Sequence, residues 1–224
     1  MFTTSAHSDQ HVFPGRLPLK AHDLTMVGIN TAHGGAADWG LAALPGRENE
    51  FVASVDQALE YATAFGRCAV HVMGGLAGAI PKVEAWGTYI RNLEVALRRA
   101  EGTGVQLLIE PLNSRDRPGY ILSCVDRAAQ LIDRRGLGAL KIMFDCCHVQ
   151  VESGDLVSRL RRNAARIGHI QFASPPLRSE PGTGEIDYRF VFDEIDRLGW
   201  TGWVGAEYRP TKSAVESLAW FRRD

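Results

Sequence analysis

The sequence predicts an α/β fold of the (β/α)₈ TIM-barrel type that is incomplete and has about six βα units. First, short apolar runs alternate with amphipathic helical segments, a pattern typical of parallel βα units. Second, an acidic or amide side chain recurs near the ends of these runs at intervals close to the ~31 residues of one unit in an eight-unit barrel. Third, the sequence lacks the glycine-rich fingerprint that usually follows the first strand of a doubly wound open sheet.

Six segments are predicted as strands because their apolar residues are mostly continuous, as expected for strands covered on both faces. In chain order they are residues 24–31, 68–73, 105–110, 141–145, 167–172 and 203–208. Four intervening segments are predicted as helices, because apolar residues recur three and four apart and a glycine closes each segment. These are residues 48–66, 123–136, 154–168 and 187–199.

The prediction divides the chain into an irregular segment, residues 1–23, and one barrel domain, residues 24–224. The first segment is polar, contains Pro14 and Pro18, and is too short for two further strands and two helices. Six units are therefore expected where a full barrel has eight. An incomplete barrel exposes two strand edges and apolar surface, which favours association into a homo-oligomer.

Composition limits the classes of function. The 224 residues carry a formal net charge of −1, so the overall charge gives no reason to predict binding to nucleic acid or to an acidic membrane. No segment approaches the ~18 apolar residues of a membrane span, and we expect no secretory leader. The four cysteines form no CxxC pair, which indicates reduced thiols in a cytoplasmic protein. The expected partner is a small-molecule substrate.

Four oxygen-bearing side chains lie at or near the ends of successive predicted strands. In a parallel barrel the carboxyl ends of all strands face one rim, so we expect these side chains to converge. Three carboxylates close together repel, and a divalent cation would compensate them; oxygen ligands favour Mg²⁺ or Mn²⁺ over Zn²⁺. The predicted metal ligands are Glu110, Asp145, Gln171 and Glu207. Taken singly, each acid could instead be a helix N-cap or a salt-bridge partner.

Three further residues are predicted to contact a substrate. His148 lies just beyond a strand-end acid, His71 lies within the second strand, and Arg178 opens a charged, glycine-rich loop after the fifth strand. Arg178 offers a fork of donors suited to a substrate carboxylate. The alternatives are histidines of the core and a solvated arginine on a loop. His33 shows no feature that indicates a function.

Several multi-residue motifs occur in a fixed order between about residues 22 and 222. They are GINTAHGGAADWGLAALPGRENEF, VHVMGG, LLIEPLNSRDRPGYIL, FDCCHVQVESGDL, RIGHIQFA and RSEPGTGEIDYRFVFDEIDRLGWTGWVGAEYRPT. Together they resemble the hydroxypyruvate isomerase family of xylose isomerase-like barrels. The resemblance implies that Glu110 and Glu207 form an acid/base pair, that the four predicted ligands line a metal position, and that His148 and Glu185 contribute to the substrate pocket. It also implies interconversion of hydroxypyruvate and tartronate semialdehyde, with 2-oxo-tetronates or other small keto sugars as substrates of close relatives.

The sequence departs from that family in two places. Family members usually begin with two further βα units, whereas residues 1–20 match nothing in the family. The family pattern has an aspartate near position 174 and a histidine at position 179, where this sequence has Ser174 and Ser179. The second departure bears on substrate choice more than on metal binding.

These features predict an isomerase of a three- or four-carbon α-hydroxy carbonyl acid, in which two glutamates move a proton between neighbouring carbons through an enediolate. A metal-assisted hydride shift would use the same ligands. The alternatives are a metal-dependent endonuclease or sugar epimerase of the same barrel type, and a non-catalytic remnant. An endonuclease is expected to have many histidine ligands and a basic face that binds DNA. The net charge of −1 does not indicate such a face.

Overall fold

The computed structural model describes Leu19 and residues 21–221, and its centre is a parallel sheet of six strands. The strands are β1 Gly28–Asn30, β2 Ala69–His71, β3 Leu107–Ile109, β4 Lys141–Asp145, β5 Ile167–Phe172 and β6 Val204–Ala206. They are hydrogen-bonded to one another in chain order. Each strand lies within a predicted strand segment, so the predicted incomplete α/β barrel of about six units is confirmed.

The irregular segment predicted for residues 1–23 lies mostly outside the described residues. Its described part leads into β1, with Leu19 O accepting hydrogen bonds from the N–H groups of His22 and Leu24 at 3.2 and 2.9 Å. The domain boundary at residue 24 and the lack of two N-terminal βα units stay predictions.

Seven α-helices connect or follow the strands in the described part of the chain. They are α1 Glu48–Ala64, α2 Lys82–Ala100, α3 Val125–Arg135, α4 Cys146–Ser153, α5 Leu156–Asn163, α6 Tyr188–Arg197 and α7 Ala214–Ser217. The four predicted helical segments contain α1, α3, α5 and α6. The sequence analysis did not single out α2 or α4, and α4 follows β4 with no loop between them. Among the described helices, none is long and apolar enough to cross a membrane.

The hydrophobic core lies between the sheet and the helices that cover it. Phe51 of α1, Tyr89 and Leu93 of α2 and Phe144 of β4 are each at most 1% exposed. Burying one large apolar side chain contributes roughly 1.5–3 kcal/mol. This packing holds the strands in a common frame and so fixes the positions of the side chains at their ends.

The strand register brings the predicted site residues to one edge of the sheet. Asp145, the last residue of β4, pairs with Gln171 of β5. Glu110 directly follows β3, and Glu207 directly follows β6 and donates its N–H to Phe172 O at 3.0 Å. Because all the strands are parallel, these residues meet at the carboxyl edge, where the active sites of barrel enzymes lie.

The sheet does not close into a ring within residues 21–221, since β1 and β6 each pair with one neighbouring strand. A cavity of about 410 Å³ lies between them, with a lining that includes Leu24, Met26 and Trp203. Leu24 is 49% exposed and Trp203 is 61% exposed. Within the described residues, β1 and β6 therefore each have one unpaired edge, as expected of an incomplete barrel.

Candidate active site at the carboxyl edge of the sheet

A cavity of about 360 Å³ opens at the carboxyl edge of the sheet. Its lining includes a polar side chain at or just beyond the end of five strands: Asn30, His71, Glu110, His148 and Glu207. Its volume lies in the range of small-molecule sites.

Glu110 is a buried acid at the base of this site, with a side chain that is 8% exposed. Its Oε1 has no hydrogen-bond partner among the described residues, and its Oε2 lies 3.5 Å from His71 Nδ1. Burial raises the pKa of Glu110 well above the usual value for glutamate; the charges of Glu207 and Asp145 raise it further, while Arg178 opposes them. A buried carboxylate without partners is costly, so this oxygen is suited to bind a proton or a cation.

Asp145 is buried and caps helix α4. Its Oδ1 accepts a hydrogen bond of 3.0 Å from the N–H of His148, and its Oδ2 accepts one of 2.9 Å from Arg178 Nη2. Burial alone would raise the pKa of Asp145, but Arg178, the neighbouring His148 and these hydrogen bonds outweigh it and hold the pKa below its usual value. Asp145 is therefore an ionised acid, in contrast to Glu110.

Glu207 is partly buried and faces the same guanidinium, with Oε2 accepting a hydrogen bond of 2.7 Å from Arg178 Nη2. Burial and the charge of Asp145 raise the pKa of Glu207, although Arg178 opposes them. Both glutamates therefore have a pKa that is shifted towards neutrality, as general acids and bases require.

Arg178 is held by a tight loop. Ser174 and Ser179 exchange two backbone hydrogen bonds of 2.8 and 3.0 Å, and Arg209 N–H donates to Arg178 O at 2.7 Å. Arg178 has a left-handed backbone, with φ 56°, which is uncommon for a residue with a Cβ. Burial would lower the pKa of its guanidinium, but the facing carboxylates raise it above the usual value. Arg178 is thus a permanent counter-ion of these acids.

His71 and His148 are buried and neutral, because burial lowers the pKa of His71 to about 3 and that of His148 to about 4. His71 Nδ1 lies 3.2 Å from Asn30 Oδ1. Asn113 N–H donates to His148 Nδ1 at 3.1 Å. Arg178 Nη1 lies 3.1 Å from His148 Nε2. Neutral imidazoles in these positions can exchange hydrogen bonds with substrate oxygens.

Three side chains form a compact donor set for a metal ion. One potential ligand atom each from Glu110, Asp145 and His148 lies within 4.8 Å of the other two. The set combines two carboxylates with an imidazole, and Glu110 Oε1 lacks a protein partner within the described chain. The residues present therefore fit a divalent cation.

The other two predicted metal ligands lie close to this set. Gln171 is buried and is the register partner of Asp145, so the two side chains lie on the same face of the sheet. Glu207 is linked to Asp145 through Arg178. The predicted set of four ligands stays a prediction, and His148, predicted as a substrate contact, lies within reach of the same ion.

The cavity also contains charged and aromatic residues that the sequence analysis did not single out. They are His33, Trp39, Asp116, Arg117 and Arg209. Two arginines could have been found from the sequence, because Arg117 lies in the loop after β3 and Arg209 lies two residues after Glu207. The predicted substrate contact Glu185, in contrast, is exposed and is not part of the described cavity lining.

The chain resembles known proteins over most of its length. Residues 18–224 match the family model of the xylose isomerase-like TIM barrel. A 2-oxo-tetronate isomerase of Cupriavidus necator is 43% identical over 210 residues, which cover 92% of this chain and 81% of that protein. A hydroxypyruvate isomerase of Escherichia coli is 38% identical over 191 residues, which cover 83% and 74% of the two chains.

The fold also resembles a solved structure. A protein of Brucella melitensis, described as an AP endonuclease of family 2, is 36% identical and superposes with a TM-score of 0.89. The similarity covers 93% of this chain and 83% of that one.

Proposed function

The chain belongs to the xylose isomerase-like TIM barrel family, and from this premise we propose that it isomerises a small α-hydroxy carbonyl acid, with hydroxypyruvate to tartronate semialdehyde as the first candidate reaction. The observation that carries the proposal is the placement of Glu110 and Glu207, which line one cavity from different strands and both have a raised pKa. Proton transfer between adjacent carbons needs such groups.

In the proposed reaction one glutamate removes a proton from the hydroxyl-bearing carbon of hydroxypyruvate. The electron pair of that C–H bond forms the double bond of an enediolate, and the former carbonyl oxygen becomes negative. The hydroxyl proton passes to that oxygen, and the other glutamate delivers a proton to the former carbonyl carbon, giving the aldehyde. His71 and His148 hold the two oxygens during this exchange.

A divalent cation is proposed at the same edge of the sheet. Its ligands would be Glu110 and Asp145, with Gln171 and Glu207 as further oxygen donors. When bound, Mg²⁺ or Mn²⁺ supplies Lewis-acid stabilisation of the negative oxygen. The orphaned Glu110 Oε1 supports this part of the proposal.

Three of the predicted substrate contacts, His71, His148 and Arg178, line the cavity and stay in the proposal. Glu185 receives no substrate contact, because it is exposed and outside the cavity lining. The proposed enzyme acts on a small molecule in the cytoplasm.

A 2-oxo-tetronate is the second candidate substrate. It is favoured by the Cupriavidus necator relative, which is described as a 2-oxo-tetronate isomerase. The same transfer of a proton between two glutamates would serve this four-carbon acid.

The test is solvent-deuterium incorporation into each candidate substrate, followed by proton NMR with Mg²⁺. The samples are the wild type, Glu110→Gln, Glu207→Gln and Glu60→Gln, the last being an exposed control on α1. We expect exchange in the wild type and in the control, and rates at least ~100-fold lower in the two active-site variants.

Equal exchange in all four samples would remove both glutamates from the mechanism. No exchange with either substrate, from a folded and metal-loaded wild type, would overturn the proposed proton transfer. If the NMR spectra also show no isomerised product, the isomerase proposal itself is overturned. Cleavage of DNA with an abasic site by the same preparation would support the endonuclease alternative, which the net charge of −1 disfavours.

A further inference from the structure

The positive charge of the active-site cavity is divided between one arginine that is ion-paired and two that are not. Arg178 donates to the carboxylates of Asp145 and Glu207. Arg117 and Arg209 line the same cavity, and neither side chain forms an ion pair with any acid in the described residues. An anionic substrate therefore meets uncompensated positive charge at these two side chains.

Arg117 is oriented by an aromatic ring. Its Cζ lies 3.6 Å from the centroid of the Trp39 ring, and its Nη1 donates to Asp116 O at 2.6 Å. The Asp116 carboxylate already accepts hydrogen bonds from Arg115 Nε at 3.1 Å and from Asn113 Nδ2 at 3.0 Å. The stack fixes the plane of the Arg117 guanidinium, so its other N–H groups can meet an incoming carboxylate.

Trp39 itself is held in an unfavourable backbone conformation. Its φ is +54°, in the left-handed region that bulky residues rarely adopt. The next residue, Gly40, packs so closely on the segment just beyond β2 that an added Cβ would lie under 3.0 Å from Met73 O. Strain of this kind persists only where the surrounding structure enforces it, and it clusters at binding sites. Here it holds the Trp39 ring against both His33 and Arg117.

From this arrangement we propose that Arg117 and Arg209 bind the carboxylate of the substrate and make the site selective for hydroxy carbonyl acids over neutral ketoses. The inference rests on the proposed function and names the residues that set its substrate class. Guanidinium groups bind carboxylates through paired N–H donors. Here the two guanidinium groups belong to separate loops, one after β3 and one after β6. Arg178 then acts at the other end of the substrate, beside the catalytic acids.

The electrostatics of Arg117 agree with this role. Burial lowers the pKa of Arg117, Asp116 opposes that effect, and the positive charges of Arg209 and Arg178 lower the pKa further. A negative group placed between Arg117 and Arg209 would relieve this repulsion.

The first test measures binding without turnover. Isothermal titration calorimetry with glycerate, and with glycerol as its neutral counterpart, is run on the wild type, Arg117→Met, Arg209→Met and Arg134→Met. Arg134 is exposed in the last turn of α3 and serves as the matched control. We expect the Kd for glycerate to be equal in the wild type and the control. In each of the other two variants it should be at least about tenfold higher. The affinity for glycerol should be the same in all four proteins.

Equal glycerate affinity in all four proteins, or no glycerate binding by the wild type, would overturn the inference. Circular dichroism checks that each variant is folded. If Arg117→Met does not fold, Arg209→Met and Arg117→Lys test the same point, since lysine keeps the charge but loses the planar fork.

The second test measures specificity. The ratio of kcat/KM for hydroxypyruvate to that for dihydroxyacetone, in which a hydroxymethyl group replaces the carboxylate, should fall roughly 10- to 100-fold in Arg117→Met, mainly through KM. A purely structural role would lower both values and leave the ratio unchanged, which would count against the proposal. An inactive wild type that still binds glycerate through Arg117 and Arg209 would refute the proposed isomerase function and leave the acid-binding inference standing.

Discussion

Nη2 of Arg178 donates a hydrogen bond of 2.7 Å to Oε2 of Glu207. The same nitrogen donates to Asp145 Oδ2 at 2.9 Å, so one guanidinium compensates two of the carboxylates at the edge of the sheet. Glu110 has no hydrogen-bond partner for its Oε1 among the described residues. The protein thus supplies its own counter-ion for two acids and leaves the third to a proton or a cation.

Replacing Arg178 with methionine should strengthen the binding of Mn²⁺. The guanidinium and a divalent cation compete for the same carboxylates, and removing the guanidinium leaves those charges to the metal. We expect the Kd for Mn²⁺, measured by isothermal titration calorimetry, to fall about tenfold. In EDTA the Tm of this variant should fall by a few degrees, because two partly or fully buried acids lose their partner.

The control for this prediction is Arg166→Met. Arg166 is paired with Asp133 at 2.7 Å on the surface, so the same chemical change is made away from the cavity. Its Mn²⁺ affinity should equal that of the wild type. Weaker Mn²⁺ binding by Arg178→Met would show that Arg178 supports the metal site instead of competing with it.

Glu110→Gln should raise the Tm of the metal-free protein at pH 8 and leave it nearly unchanged at pH 4. Burial raises the folded-state pKa of Glu110 well above 4.5, the usual value for a glutamate in an unfolded chain. Its contribution to stability is therefore fully present below pH 4.5 and is lost as the pH rises through the folded-state pKa. Glutamine resembles the protonated acid, so it removes this loss and should give a gain of a few degrees at pH 8.

The measurement is thermal melting in EDTA across this pH range, with Glu60→Gln as the exposed control. The control should track the wild type at every pH. A Glu110→Gln protein that melts below the wild type at pH 8 would show that the ionised carboxylate is stabilised by a partner that outweighs its burial.

Trp39→Leu and Arg117→Met should be strongly non-additive in their effect on glycerate binding. The Trp39 ring acts by orienting the Arg117 guanidinium, so its removal matters only while the guanidinium is present. We expect the double variant to bind glycerate about as weakly as Arg117→Met alone, as measured by calorimetry. A second stacked pair, Trp86 and Arg127 at 4.4 Å, offers a matched control cycle that should leave binding unchanged. Additive losses at Trp39 and Arg117 would mean that Trp39 contacts the ligand independently.

The acids of this site could be predicted from the sequence because their signal is local. Glu110 and Asp145 each close a short apolar run, and a run of that length and composition forms a strand in any parallel sheet. Strand direction then fixes the edge at which both acids lie. The same reasoning placed His148, which follows Asp145 by less than one helical turn.

The stacking of Arg117 on Trp39 in the cavity lining could not be predicted in this way. The position of Trp39 depends on its left-handed backbone and on the packing of Gly40 against Met73, a contact between distant parts of the chain. Likewise, the hydrogen bonds of Arg178 to two strand-end acids follow from a loop conformation that its glycine-rich sequence allows but does not specify.

Gly40→Ala should reduce both the free energy of unfolding and the affinity for glycerate, whereas Gly46→Ala should reduce only the former. Both glycines have positive φ values, +119° and +80°, so alanine costs roughly 1–2 kcal/mol of backbone energy at either position. At Gly46 an added Cβ meets nothing within 4 Å, but at Gly40 it would collide with the Met73 carbonyl. The collision should bring the total loss for Gly40→Ala to about 3 kcal/mol in urea unfolding.

Because the collision also displaces the neighbouring Trp39 ring, the Kd for glycerate should rise at least about threefold in Gly40→Ala alone. An unchanged Kd in a destabilised Gly40→Ala protein would mean that the strained turn serves the fold and does not position the ring.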